Sequence, residues 1–426
     1  MEKIRINSFA GLKELELGVS RVTGLVGPQA SGKSIIAKLL YFFREIASGL
    51  PDAVIDGLGS AQYKAACCKR FSHYFPADQA GVADFEITYL TGKEQVRVSF
   101  SKEPAAGQES LGLEWSDFYP SAIETLTQSK QELFGALGEA DERGRTDARF
   151  RLVQQYDQEA TKVLGPWSSY EQMFIPAGRA FFSQFRASVF RGLQSGGSLD
   201  PFMVAFGSLL EQTKWRLETD GFFDPVEPAR YLKLRSPIRE ILHAELGRAE
   251  KEDFLQFDDG RRVRLAQASS GEQEAWPLLL LLARFLSTPS VRGRAVYIEE
   301  PEAHLFPSTQ KQLVELMARV FRCRADEMCL LITTHSPYIL TSINNLLQAG
   351  KLYAATRDRR VPHRLSKIVP GSFRPGEVGF YALEAGTAKS ILDRDTGLID
   401  AAVIDQVSND IAIQFDKLLA EGNEKP

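Results

Sequence analysis

Hydrophobic positions alternate at the start of the chain: Ile4 and Ile6, then Leu12, Leu15 and Leu17. A period of two predicts strand, and a further short strand follows over Arg21 to Leu25. A glycine-rich loop then leads into a helical pattern from Ser34 to about Ser48. Residues 84–100 predict a hairpin. Phe85, Ile87 and Tyr89 alternate on one arm, Val96, Val98 and Phe100 on the other, around Thr91-Gly92-Lys93. Leu111 to Trp115 predicts one more strand.

From about Pro120 to Pro166 the pattern is helical and charged, broken at Gly138 and Gly144. A buried strand is predicted over 172–176, ending in Pro176-Ala177-Gly178-Arg179. Residues 181–250 read mostly as helices, separated by turns at Gly196-Gly197 and Pro225/Pro228. A second hairpin joins Phe254–Phe257 to Val263 and Leu265 through Asp258-Asp259-Gly260. A helix over 271–287, a strand over 295–299, a helix over about 308–321, a strand over 328–333 and a helix over about 337–347 come next. This alternation predicts an α/β fold with a mostly parallel sheet. The tail carries a short strand, Val378 to Leu383, and an amphipathic helix near 399–420. No repeat of fixed period is present, and no heptad run is long enough for coiled-coil arms.

Composition narrows the class. The 426 residues are 44% hydrophobic and 25% charged, with 51 basic and 55 acidic residues for a net charge of −4. Those are globular proportions, and a mildly acidic chain can meet nucleic acid only through a local patch. Cys67 and Cys68 are adjacent and Cys323 and Cys329 are six apart, so neither a disulfide framework nor a zinc clip is predicted. The N-terminus has no apolar core of a signal peptide. The longest apolar run, Leu278 to Ala283, falls short of the ~20 residues that span a bilayer. A cytoplasmic protein without membrane contact is expected.

The strongest chemical signal is Gly27-Pro28-Gln29-Ala30-Ser31-Gly32-Lys33-Ser34, which fits G-x-x-x-x-G-K-[ST] between a strand and a helix. Glycines let the backbone curl so that successive N–H groups point at phosphates, and the helix N-terminus adds positive partial charge. Lys33 is expected to reach the terminal phosphates and Ser34 to hold Mg²⁺, so ATP and Mg²⁺ are the predicted ligands. Three further stretches close strands or open helices. They are Ala268-Ser269-Ser270-Gly271-Glu272, Ile298-Glu299-Glu300-Pro301-Glu302 and Thr333-Thr334-His335-Ser336.

These four motifs, in this order, resemble the ABC-type ATPase heads of the RecF, Rad50 and SMC group. EEPEAHLFP followed by THSPYIL resembles most the OLD-like ATPases, as do the opening GLVGPQASGKSIIAKLLYFF and the later FIPAGR. The resemblance covers about 1–50 and 265–345. It implies an α/β fold: an ABC-type P-loop ATPase head with a mixed β-sheet lobe, a parallel-sheet core and a helical insertion. Ser270 and Gly271 match the signature that touches nucleotide held by a second subunit, so ATP-sandwiched dimers within a homo-oligomer are implied. Glu272 stands where many relatives carry glycine. Glu299 matches the Walker B acid that supports Mg²⁺, Glu300 the general base and His335 the switch histidine; the catalytic set is Glu300, Lys33 and His335.

The implied division has four parts. Residues 1–118 hold the first part of the head, and 119–260 a mainly helical insertion with a strand near 172–176. Residues 261–370 hold the signature, Walker B and switch histidine, and 371–426 a strand-helix element for assembly or partner docking. No acidic strand constellation of a Toprim nuclease follows His335, so ATPase activity without a nuclease of its own is expected. The resemblance points to stand-alone ATPase subunits of two-component antiphage systems, of PARIS type first and Septu type second. Such a subunit controls a separate Toprim or HNH effector and answers a phage-encoded trigger. A RecF-like DNA-repair clamp is the alternative, with DNA contact. Other residues stay open. Arg179 faces a nucleotide or a neighbouring subunit, or holds its own loop. Arg357, Arg359, Arg360, His363 and Arg364 form a solvated basic loop or a contact for nucleic acid or an acidic partner. His304 near Glu302 suggests a metal pair without a third ligand.

Overall fold

The computed structural model describes residues 2–77, 84–102, 109–135, 137, 141–184, 199–223, 231–249, 252–288, 290, 292–358, 360–400 and 413–414. The strands are β1 (Glu2–Phe9), β2 (Leu12–Val19), β3 (Val22–Val26), β4 (Phe85–Thr91), β5 (Glu94–Lys102), β6 (Glu109–Trp115) and β7 (Glu171–Ile175). After them come β8 (Glu245–Ala249), β9 (Glu252–Gln256), β10 (Arg262–Arg264), β11 (Arg294–Glu299), β12 (Met328–Thr334), β13 (Val378–Glu384) and β14 (Thr387–Ser390). A five-stranded antiparallel sheet has the order β2-β1-β4-β5-β6. A six-stranded sheet has the order β14-β13-β3-β12-β11-β7 and is parallel except for β14. A small antiparallel sheet has the order β10-β9-β8.

β3, β11 and β12 are buried at every position. Their near-continuous apolar runs follow from cover on both faces, as parallel sheets require. Alternate side chains supply two cores. Val296, Ile298, Leu330 and Ile332 join the helices Ser270–Ser287, Pro307–Cys323 and Pro337–Ala355 on one face. Ala295, Tyr297, Cys329 and Leu331 join the helix Lys33–Ser48 and the five-stranded sheet on the other. Segment 119–260 divides between these cores. Ile123, Leu126, Leu152 and Tyr156 pack in the second, whereas Phe206, Leu210, Leu234 and Ile238 pack in the first.

One buried guanidinium ties the two large sheets together. Arg44, on the helix after the glycine-rich loop, donates from Nε and Nη2 to both Glu2 carboxylate oxygens, at 2.7 and 2.8 Å. Its Nη1 reaches the Tyr297 hydroxyl on β11 at 3.2 Å and Cys329 Sγ on β12 at 3.3 Å. Glu2 lies on β1 and also accepts from the Tyr89 hydroxyl of β4. The charge is therefore neutralised and fully bonded where it is buried, the condition under which a buried ion pair is tolerated.

The expected strands and helices recur, with differences that have local causes. Gly144 does not break a helix; its N–H donates to the Asp141 cap at 2.8 Å in the first turn of Glu142–Leu164. Residues 245–249, expected as helix, are β8, because they pair along β9. The helix after His335 runs to Ala355, since Gly350 packs against the Phe373 carbonyl and no stop residue precedes it. Arg360, His363 and Arg364, expected in a loop, lie on the helix Arg360–Ile368; Arg359 is outside the described residues. β13 is internal to the central sheet, paired along β3 from Val378–Val22 to Ala382–Val26. Phe380 lies across from Gly24, and a Cβ there would fall 1.9 Å from its ring. Most of the helix expected near 399–420, and Gly138, fall outside the described residues. Among the described residues no helix is long and apolar enough to cross a membrane. All four cysteines are free.

Replacing Arg44 by Ala strands the Glu2 carboxylate between the sheets. We expect Arg44→Ala and Glu2→Gln each to cost about 3–5 kcal/mol in urea unfolding, because either change leaves the other partner's charge buried without its counter-charge.

Candidate functional site

The loop 27–32 leaves β3 and enters the helix Lys33–Ser48 at the C-terminal edge of the six-stranded sheet, where ligands of α/β folds bind. Gly27 and Gly32 have φ of 154° and 95°. A Cβ on Gly27 would come 2.3 Å from the Leu383 carbonyl oxygen of β13, and one on Gly32 2.4 Å from Leu12. Both glycines are therefore required by close approach as well as by backbone conformation. Ala30 is also left-handed, at φ 59°. Pro28, Gln29, Ala30 and Ser34 are exposed, and Ser31 is half-buried. Lys33 is buried and turns back over the loop: its Nζ donates to the carbonyls of Gly27 (2.8 Å) and Pro28 (2.6 Å) and to Ser31 Oγ (3.3 Å). Burial pulls its ammonium below the ordinary lysine range, and the carboxylates of Glu300, Glu302 and Glu299 oppose that shift.

β11 delivers those carboxylates. Glu299 closes the strand, opposite Thr333 of β12. Its Oε2 accepts from the Ala177 N–H at 3.2 Å, and its Oε1 is buried with no hydrogen-bond partner among the described residues. Burial raises its carboxyl above the usual range, with the Ser34 hydroxyl acting the other way. Glu300 sits at φ 42°, a conformation rare for a residue with a side chain. Two bonds hold it there: its N–H donates to the Thr333 carbonyl (3.0 Å), and its own carbonyl accepts from Arg179 (3.0 Å). Its Oε1 lies 2.9 Å from His335 Nε2. The site thus brings Lys33, Glu299, Glu300 and His335 together. A cavity of about 830 Å³ opens beside Gly27, Pro28 and His335, walled by the β13–β14 hairpin.

The signature region lies at the start of the helix Ser270–Ser287. Ser269 is the cap and Glu272 closes a capping box, its Oε2 accepting from the Ser269 N–H at 2.7 Å. Ser270 is exposed. A Cβ on Gly271 would lie 2.7 Å from the His304 carbonyl oxygen, so the helix start abuts the loop after β11. Phe306, at the end of that loop, is 74% exposed.

Arg179 resolves to a structural role. It is wholly buried and donates to the carbonyls of Pro176 (3.1 Å), Glu299 (2.7 Å), Glu300 (3.0 Å) and Glu274 (3.1 Å). Glu274 answers by accepting the backbone N–H groups of Arg179 (2.9 Å) and Ala180 (3.1 Å). Glu274 was not legible as a site residue from its motif, although an acid at the head of the apolar run 275–283 was the available signal. Glu302, which the sequence suggested as a metal partner of His304, accepts through its Oε1 from Thr334 Oγ1 and the His335 N–H. Among the described residues no group of three or more His, Cys, Asp or Glu side chains could hold a metal ion.

Arg179→Lys keeps the charge but loses the fork that reaches four carbonyls. We expect a loss of about 3 kcal/mol or more in chemical unfolding, because a single ammonium leaves several of the four carbonyls buried without donors.

A family model described as "AAA domain, putative AbiEii toxin, Type IV TA system" matches residues 22–341. No curated protein is recognisably similar to the chain. Among solved structures, the SMC head domain from Thermotoga maritima is 11% identical, with 91% of this chain and 97% of that one covered and a TM-score of 0.37. The Smc head domain derived from Pyrococcus furiosus, with an extended coiled coil and bound to the C-terminal domain of ScpA, is 13% identical, with 92% and 96% covered and a TM-score of 0.38. The recombination mediator protein RecF-ATPrS of the RecFOR pathway is 10% identical, with 91% and 97% covered and a TM-score of 0.28. With its P-loop inside the matched residues 22–341, three quarters of its length, the chain belongs to this AAA-domain family.

Proposed function

We propose that the chain binds ATP with Mg²⁺ on the loop 27–34 and hydrolyses it, with Glu300 as general base and His335 beside it. The observation that carries this reading is the convergence of the buried Lys33 with three carboxylates and a histidine at one sheet edge. The residues suit both ligands. Gly27 and Gly32 leave a cradle that a Cβ would fill. The Ser34 hydroxyl and Glu299, with its free buried Oε1, form a hard oxygen donor set of the kind Mg²⁺ takes. Bound there, the cation neutralises charge on the phosphates.

The roles follow from the chemistry. Lys33 exchanges its loop carbonyls for phosphate oxygens, a stronger partner for an ammonium. Backbone N–H groups of the loop would meet the phosphates in the manner of an anion nest. Glu300 accepts a proton from the attacking water, and His335 orients the carboxylate from 2.9 Å. Ser270 and Gly271 serve the site of a second copy, for which the exposure of Ser270 is the support. The homo-oligomer is built from such ATP-sandwiched pairs.

The output goes to a separate effector protein, a Toprim or HNH nuclease, in a two-component antiphage system of PARIS or Septu type with a phage-encoded trigger. This part of the reading rests on the resemblance of EEPEAHLFP and THSPYIL to the OLD-like ATPases, and its preference for the PARIS type on the compact length and the GPQASGKS opening. Lys33→Ala should abolish ATP binding in calorimetry. Glu300→Gln should keep ATP affinity within a few-fold while kcat falls at least about 100-fold; wild-type turnover by Glu300→Gln would sink the assignment of the base.

One observation favours the second reading, a RecF-like DNA clamp. Arg357, Arg360, His363, Arg364 and Lys367 are all exposed on or beside the helix Arg360–Ile368. This reading expects duplex binding that weakens with salt. The triple variant Arg360→Ala, Arg364→Ala, Lys367→Ala should then lower the slope of log K against log salt by about 2–3. Duplex binding that the triple variant leaves unchanged would count against the clamp.

A further inference from the structure

We propose that Glu302 is a positioning residue for His335, fixing where its imidazole meets Glu300. The inference deepens the ATPase reading and rests on it. It starts from three bonds. Glu302 Oε1 accepts from the Thr334 hydroxyl at 2.6 Å and from the backbone N–H of His335 at 2.7 Å. His335 Nε2 in turn lies 2.9 Å from Glu300 Oε1. Glu302 therefore holds the main chain of the residue whose ring reaches the proposed base.

The surrounding loop makes this a defined placement. The Glu300 N–H bonds the Thr333 carbonyl, so the end of β12 is stitched to the loop after β11 on one side of His335. On the other side the Ser336 hydroxyl donates to Gln310 Oε1, and Gln310 Nε2 donates to the Leu305 carbonyl at 2.9 Å. Glu302 is the middle tie of the three, and it grips His335 itself. A side chain serving only to fill the loop would not need a charge. Yet Glu302 Oε2 is buried with no hydrogen-bond partner among the described residues, an arrangement that costs stability. A local rule broken at such cost, beside Lys33 and Glu300, marks a group kept for the site.

Glu302→Ala removes the tie, Glu302→Gln keeps an accepting oxygen, and Glu302→Asp keeps the charge but draws the acceptor back by one methylene. Two readouts separate positioning from general stability. In steady-state ATP hydrolysis, Glu302→Ala should lower kcat by about tenfold or more with KM for ATP changed less than about threefold, and Glu302→Gln should return most of the rate. In spectra of nucleotide-free protein carrying ¹³C-labelled histidine, the His335 ring signal is assigned by its loss in His335→Ala. That signal should shift or broaden in Glu302→Ala and Glu302→Asp and return in Glu302→Gln, while His73, His243 and His363 stay in place. An unmoved His335 signal, or an unchanged kcat, overturns the proposal. Should Glu302→Ala fail to fold, Glu302→Asp carries the same two readouts. The spectra need no turnover, so a wild-type protein without ATPase activity would refute the ATPase reading while the placement of His335 by Glu302 is still decided.

Discussion

The site depends on one buried guanidinium. Arg179 has no exposed surface, and its three nitrogens find the carbonyls of Pro176, Glu299, Glu300 and Glu274. These carbonyls belong to the end of β7, the end of β11 and the signature helix. A lysine has one nitrogen and cannot span them; the planar fork can. The same contact holds Glu300 in its left-handed conformation, because the Glu300 carbonyl must turn toward Arg179 to be satisfied. Glu274 completes the arrangement by accepting the backbone N–H groups of Arg179 and Ala180. The distance between the proposed base and the signature is thereby set inside the core and not by the exposed loops.

Arg44 plays the corresponding part between the sheets. It stands on the helix that the glycine-rich loop opens, and it bonds β1 directly through Glu2 and reaches β11 and β12 through Tyr297 and Cys329. The helix carrying Lys33 is thus fixed against both sheets. Two arginines, both neutralised by carboxylates, hold the two halves of the site: one the phosphate-binding loop, the other the acids facing it. Each would be a large liability if a single partner were lost, since a buried charge without its counter-charge costs several kcal/mol.

Much of this was legible along the chain, and the reason lies in local physics. The alternation of Phe85 to Phe100, the run at 295–299 and the helix after Ser34 each bury a face whose period the sequence records. Lys33 is marked by its own P-loop motif, whereas the resemblance of their motifs to the ATPase heads pointed to Glu299, Glu300 and His335. Arg179 left its role open, because a loop arginine looks the same whether it faces a ligand or clamps carbonyls. Glu302 suggests only a metal partner of His304 along the chain, because the Thr334 and His335 donors that its oxygen accepts lie more than thirty positions away. Residues 245–249 read as helix because a lone short strand has no local signature; its pairing with β9 supplies one.

The sequence by itself determined the P-loop, the order of motifs and the alternating elements that put them on one sheet edge, since those follow from glycine conformations and from hydrophobic period. No local pattern explains glycine at Gly24, or how tightly Gly27 is enclosed. Only the tertiary structure supplied the reasons: Phe380 and the Leu383 carbonyl, more than three hundred positions away, approach too closely for any Cβ. It alone brought β13 alongside β3 and placed four carbonyls around Arg179, and it alone set Glu302 under His335. Contacts between residues far apart in the chain depend on how the elements pack, and no periodicity within one element encodes them.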